Sequence, residues 1–272
     1  MTEPGTPLTD AERDACAQAF ARIALAAGQA VMEVYAGDCA ARAKADSSPV
    51  TEADVRAEAV ILADLKAQFP DLPVIAEESV ARGVVPRCGS RFILVDPLDG
   101  TREFLARNDE FTVNIALVDA HAPVAGVVYA PALSKLWFGG AAAFACAAAP
   151  SGDLPPQAEW RRIAARPPGP EGLVALCSRS HGDAGTEDFL AGHRIARRVN
   201  AGSSLKFCLI AEGAADVYPR FGPTMEWDIA AGEAVLRAAG GRVLGPDGAP
   251  LRYGKAAQDF RNGAFVAWGR AA

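Results

Sequence analysis

The stretch from Phe92 to Phe104, FILVDPLDGTREF, constrains this chain more than any other. Phe92 to Val95 are apolar and read as a short buried strand. The strand runs into Asp96, Pro97 and Asp99. Pro97 lacks an N–H and cannot continue a ladder, so it predicts a turn. Gly100 lets the backbone approach a ligand, and Thr101 opens a short helix. Two carboxylates three positions apart at a strand end repel and raise each other's pKa unless a cation neutralises them. Oxygen donors of this kind suit a hard divalent ion, Mg2+ above all. The N–H groups of Gly100 and Thr101 offer a phosphate site at the helix start. The plain alternative is an Asp-rich turn, since Asp-Gly is common in turns.

Around this stretch the chain reads in order. Thr9 and Glu12 predict a capping box for a long first helix that ends near Gly37, with Phe20, Ile23, Ala27, Val31 and Val34 inward;. Thr51 predicts the cap of a second helix with Val55, Ala59, Leu62 and Leu65 on its core face. Asp54 lies in that helix's first turn, where interaction with the helix dipole explains it as well as chemistry does. Val74 to Ala76 predict a strand ending in Glu77-Glu78, so that Glu77, Asp96 and Asp99 meet at one edge if the two strands are neighbours. Residues 80–90 read as a loop. Thr112–Val118, Val124–Tyr129, Trp137-Phe138 and Ala141–Cys146 predict an antiparallel meander, with His121 in an exposed turn at 121–123.

Residues 147–171 are rich in Pro, Ala and Arg and mark a boundary between subdomains 1–150 and 151–272;. Beyond it come a strand at 173–176, a short helix at 187–191, a helix at 205–212 after Gly202-Ser203-Ser204, and a strand at 215–218. A helix at 229–239 follows, stopped by Gly240-Gly241, and strands near Val243 and at 264–268 close the chain. Asp228 precedes the apolar run of its helix, as an N-cap or as a further metal carboxylate. His181 and Lys206 have equally plain alternatives, a loop histidine and a solvated lysine.

Composition excludes several classes. Half of the 272 residues are hydrophobic and 22% are charged, which fits a globular enzyme;. The net charge of −6 without a long basic run argues against nucleic-acid binding;. The six cysteines form no C-x-x-C pair, so neither a zinc site nor a disulfide framework is expected;. The N-terminus has no apolar signal core, and no apolar run is read as a membrane span. The expectation is a cytoplasmic protein, at most peripheral at the inner membrane, and a monomer or homodimer.

The strings DPLDGTREF, VIAEE, SPVTEAD and EWDIAAGEAV together resemble the inositol monophosphatase superfamily, from about Asp46 to Gly241. Arg102-Glu103-Phe104 after DGT, with FTVNIALV, CSRSH, GSSLKFCLIAEG and YPRFGPTMEWD, is most similar to its bacterial 3′(2′),5′-bisphosphate nucleotidases. The resemblance implies an α/β (α+β) fold, an alternating αβαβα sandwich. It implies a lithium-sensitive phosphatase using two or three Mg2+ ions on a small phosphate ester, adenosine 3′,5′-bisphosphate above others. Glu77, Asp96, Asp99, Asp228 and the Leu98 carbonyl match its metal ligands. Asp54 and Thr101 match the pair that orients and deprotonates water, and Glu77 joins them in the catalytic set. Gly100 and Thr101 match the phosphate turn. The substrate surface it implies takes in Glu77, Leu98, Asp99, Gly100, Thr101 and Asp228, with His181, Ser203, Lys206 and Arg220 on the nucleotide. Inositol, histidinol and sugar-phosphate phosphatases are the alternatives within the superfamily, and a regulatory binding protein is the alternative outside it.

Overall fold

Two capping boxes start the first layer. The computed structural model describes residues 6–37, 42–43, 49–150, 153–178 and 184–271. Helix α1 (Asp10–Tyr35) begins at Thr9, whose hydroxyl accepts the Glu12 N–H at 3.3 Å while Glu12 accepts the Thr9 N–H at 2.8 Å;. A short ribbon, β1 (Arg42–Ala43) with β2 (Pro49–Val50), leads to α2 (Glu52–Gln68), capped by Thr51. The next elements are β3 (Val74–Ala76), α3 (Glu77–Ala81), β4 (Arg91–Asp99), α4 (Thr101–Leu105), β5 (Thr112–Asp119), β6 (Ala122–Ala130), β7 (Lys135–Gly139), β8 (Ala143–Ala147) and β9 (Arg161–Ile163). Strands β3 to β9 form one seven-stranded sheet in sequence order, antiparallel apart from the β3–β4 pair.

The second sheet uses β10 (Leu173–Ser178), β11 (Ile195–Ala201), β12 (Val217–Arg220), β14 (Arg242–Leu244) and β16 (Phe265–Trp268) in the order β11-β10-β12-β16-β14. Interleaved with them are α5 (Ala184–Ala191), α6 (Leu205–Ala211), α7 (Glu226–Ala238) and a ribbon of β13 (Thr224–Met225) with β15 (Arg261–Asn262).

Strand periodicity builds the layers, because successive side chains face opposite sides. Ile93, Val95, Val113, Ile115, Val127 and Tyr129 pack toward α1 and α2. Their neighbours Leu94, Ala116, Val118 and Val128 pack toward α6 and α7. In the second sheet Leu176, Tyr218 and Ala267 join that central core, while Ala175, Val217 and Val266 face Leu190 of α5. The result is the five-layer αβαβα order. Helix α7 lies close on β6: a Cβ at Gly126 would stand 2.9 Å from Ala234 Cβ.

Several expectations are corrected. Pro97 does not end its strand. β4 continues to Asp99, and its register with β5 shifts between Asp96 and Asp99, a bulge in which the missing N–H costs no ladder bond;. Glu77 and Glu78 belong to α3 and not to a strand end. The core face of α2 is Ala53, Ala57, Ile61 and Leu65, with Val55 47% exposed. The helix is rotated because the carboxylates of Asp54 and Glu58 point inward with them. β6 begins at Ala122 and carries Pro123 at a second register shift. Within 147–171, β9 pairs with β8 and extends the first sheet. β11 escaped the sequence reading because it is an edge strand whose Arg197 and Arg198 are exposed. α1 does have the length and apolarity of a membrane span, but half of that window is buried against the protein.

Candidate active site

The β4 bulge and the turn after it set Asp96, Asp99 and Thr101 to different tasks. Asp96 is buried, and its Oδ1 accepts the Leu98 N–H at 3.0 Å. Asp99 reaches the cavity, and Gly100, at φ +92°, redirects the chain into α4;. Thr101 Oγ1 lies 3.4 Å from both Asp54 Oδ1 and the Leu98 carbonyl oxygen. Asp54 arrives from the first turn of α2. Its Oδ2 accepts the Thr51 N–H and the Thr51 hydroxyl, each at 2.7 Å. The capping role and the contact to Thr101 are therefore both present, one on each carboxylate oxygen.

Asp228 is the third residue of α7, and its Oδ2 accepts the Met225 N–H at 2.8 Å. Here too the helix-start role and the site role coexist. Glu77, Asp99 and Asp228 line a cavity of about 280 Å3. Asp228 shows part of its side chain to that cavity but sits deep in the protein. Burial first, and the charges of Asp99 and Glu77 next, push its carboxyl well above the usual carboxylate range;.

Two cations line the same cavity. Lys206 and Arg220 are 4% and 9% exposed, an unusual depth for such residues;. Lys206 Nζ donates to the carbonyls of Ala201 at 3.1 Å and Ser203 at 2.7 Å, and stands 5.0 Å from the centre of the Tyr218 ring. Burial pushes its pKa down to about 8, with Asp99 opposing and Arg220 adding to the shift. Arg220 donates to the Pro223 carbonyl at 3.2 Å, and its Nε is buried without a partner among the described residues.

The structure thus gathers Glu77, Asp99, Gly100, Thr101, Ser203, Lys206, Arg220 and Asp228 around one cavity. Asp54, Asp96 and Leu98 stand buried immediately behind it. His181 lies outside the described residues. The sequence reading missed Arg102, Glu103, Ser178, Tyr218 and Thr224, which also line the cavity. The first two follow DGT directly, so their place was the most accessible to inference.

All the acidic donors are oxygen, and Glu77, Asp99 and Asp228 line the same cavity. That chemistry fits a hard divalent cation. Among the described residues no three of these groups converge on a single point. Protein donors occupy part of the set, the Leu98 N–H on Asp96 Oδ1 and the Ser203 hydroxyl and Ser204 N–H on Asp99 Oδ2.

The inositol monophosphatase family pattern matches residues 12–266. The chain belongs to that family. The 3′(2′),5′-bisphosphate nucleotidase CysQ of Escherichia coli K12 is 46% identical over 234 residues, 85% of this chain and 91% of that protein. The protein of the same name from Buchnera aphidicola is 37% identical over 249 residues, 90% of this chain and 91% of its own length. The solved structure of CysQ from Bacteroides thetaiotaomicron, described as a bacterial member of the family, superposes with a TM-score of 0.79 at 38% identity, covering 95% of this chain and 98% of that one.

Proposed function

We propose that the protein is a Mg2+-dependent phosphatase that removes the 3′-phosphate of adenosine 3′,5′-bisphosphate, giving AMP and phosphate. The observation that carries this reading is the 46% identity to a bacterial bisphosphate nucleotidase across 85% of the chain. The cavity is consistent with it, since it is lined both by carboxylates that suit a metal-bound phosphate and by a buried cationic pair that suits another. The same reading has two or three Mg2+ ions held by Glu77, Asp96, Asp99, Asp228 and the Leu98 carbonyl. It has a small-molecule substrate, a cytoplasmic monomer or homodimer, and a division of labour between subdomains 1–150 and 151–272.

When bound, Mg2+ neutralises the phosphate and activates the attacking water. The chain's own residues do the rest. Thr101 Oγ1, donating to Asp54 Oδ1, has its lone pairs free to orient the water that attacks phosphorus. Asp54 accepts the proton delivered through Thr101, and the two Thr51 donors on its other oxygen fix the carboxylate toward Thr101;. The N–H groups of Gly100 and Thr101 hold the scissile phosphate. Arg220 presents a planar fork and Lys206 a point charge to the second phosphate.

Replacing Arg220 tests the division of labour. Arg220→Ala should raise KM for adenosine 3′,5′-bisphosphate by about ten- to a hundred-fold, the loss expected for one charged hydrogen-bond partner. The variant should act almost normally on a simple alkyl monophosphate. Equal losses on both substrates in steady-state assays would remove Arg220 from the second-phosphate site.

A further inference from the structure

We propose that the turn at 201–204 is the positioning device of the metal site. In this assignment Ser203 and Ser204, from the C-terminal half, fix Asp99 of β4 and the first turn of α7 that carries Asp228. The proposal rests on the reading of Asp99 and Asp228 as metal ligands. Asp99 Oδ2 accepts the Ser203 hydroxyl at 2.6 Å and the Ser204 N–H at 2.7 Å. Its Oδ1 takes no hydrogen bond among the described residues. Two donors on one oxygen fix the carboxylate plane and leave the other oxygen available to an ion. Partners that orient a ligating carboxylate in this way set metal affinity as much as the ligand does.

The turn is itself held from four sides. Ser203 Oγ is 2.6 Å from Thr112 Oγ1, on the strand beside Asp99. Ser204 Oγ donates to the Asp228 main-chain oxygen at 2.7 Å and accepts Asn114 Nδ2 at 3.1 Å. Gly202 N–H donates to Glu110 Oε2 at 2.7 Å, where a Cβ would fall 2.8 Å from the Glu110 carbonyl oxygen. Lys206 Nζ ties down the carbonyls of Ala201 and Ser203. Ser203 sits at φ +50°, a left-handed conformation that is costly for a residue with a Cβ;. Strain of this kind persists only where the surroundings over-determine the backbone. One turn therefore addresses both proposed ligands, Asp99 through its side chain and Asp228 through its backbone. Lys206 acts on the site by holding that turn.

Calorimetric titration of the full-length, nucleotide-free protein with Mn2+ tests this without reference to turnover. Ser203→Gly removes the hydroxyl and relieves the left-handed strain, so it should fold at least as well as wild type. Its Mn2+ Kd should rise about ten-fold, with no fall in Tm, and Ser203→Ala should show the same loss of affinity. If Ser203 serves only the substrate, Ser203→Gly will bind Mn2+ as wild type does while KM for the nucleotide rises, and the proposal is overturned. A lower Tm with unchanged Mn2+ affinity overturns it equally. A wild-type protein that binds no Mn2+ would instead overturn the metal assignment itself, and this proposal with it.

Discussion

Asp54 answers two demands with one side chain. Thr51 holds Oδ2 through its N–H and hydroxyl, and Oδ1 faces Thr101. At this scale the proposed mechanism stands on Thr101, whose hydroxyl links Asp54 to the mouth of the β4 bulge. Thr101→Ala should lower kcat about a hundred- to a thousand-fold, the usual value of positioned acid–base help. KM should change little, because the contact tightens in the transition state. Steady-state kinetics at saturating Mg2+ checks this, and a fall in kcat below ten-fold would take Thr101 out of the mechanism. The dual roles explain why Asp54 and Asp228 were ambiguous in the sequence. A carboxylate in a helix's first turn has a sufficient local explanation, and only its second oxygen or its neighbours across the chain reveal the rest.

At the scale of elements, α7 carries Asp228 and touches both sheets, so its seating matters. Its close approach to β6 depends on Gly126, where an added Cβ would also lie 3.1 Å from the Ala231 carbonyl oxygen. Gly126→Ala should destabilise the fold by about 1–3 kcal/mol through overpacking. Denaturant unfolding measures this, and an unchanged midpoint would mean that the helix shifts without strain. The same helix buries Glu233, whose carboxylate accepts the Tyr253 hydroxyl at 2.6 Å and faces Arg237 at 3.5 Å. Burial raises its pKa from 4.5 to about 7 against the help of Tyr253 and Arg237. In the folded state the proton is held more tightly than in the unfolded chain. The stability from this group is therefore complete below about pH 4.5 and is lost as pH rises toward 7;. Glu233→Gln should remove that slope and be more stable than wild type above pH 7, by about 3 kcal/mol. Parallel pH profiles for variant and wild type would contradict it. Of these elements the helices with capping boxes and the apolar strands of the meander were legible, since period and cap are local. The β4 continuation through Pro97, the rotated face of α2 and the charged edge strand β11 were not. Each is decided by a partner: the β5 register, the inward carboxylates of Asp54 and Glu58, and an edge position that tolerates arginine.

At the scale of the molecule, the cavity joins groups from both halves of the chain. Glu77, Asp99 and Thr101 come from α3, β4 and α4, while Ser203, Lys206, Arg220 and Asp228 lie 100 or more residues later in sequence. Asp96, Asp99, Gly100 and Thr101 of the proposed site were legible because they crowd into one short string. Their partner residues gained meaning only through resemblance and then through geometry. Ser178, Tyr218 and Thr224 were missed because nothing in their own sequence neighbourhood says that they line this cavity, whereas Arg102 and Glu103 follow DGT directly. If the cationic pair exists to read a second phosphate, substrates that lack one leave buried charged groups unpaired, a penalty of one to two decades in specificity. The most direct measurement is a comparison of kcat/KM on one preparation, with Mg2+, for adenosine 3′,5′-bisphosphate, inositol 1-phosphate, histidinol phosphate and fructose 1,6-bisphosphate. Adenosine 3′,5′-bisphosphate should lead by at least about ten-fold, with 5′-AMP as the nucleotide product. A higher value for inositol 1-phosphate would contradict the nucleotidase reading and leave a general inositol phosphatase in its place.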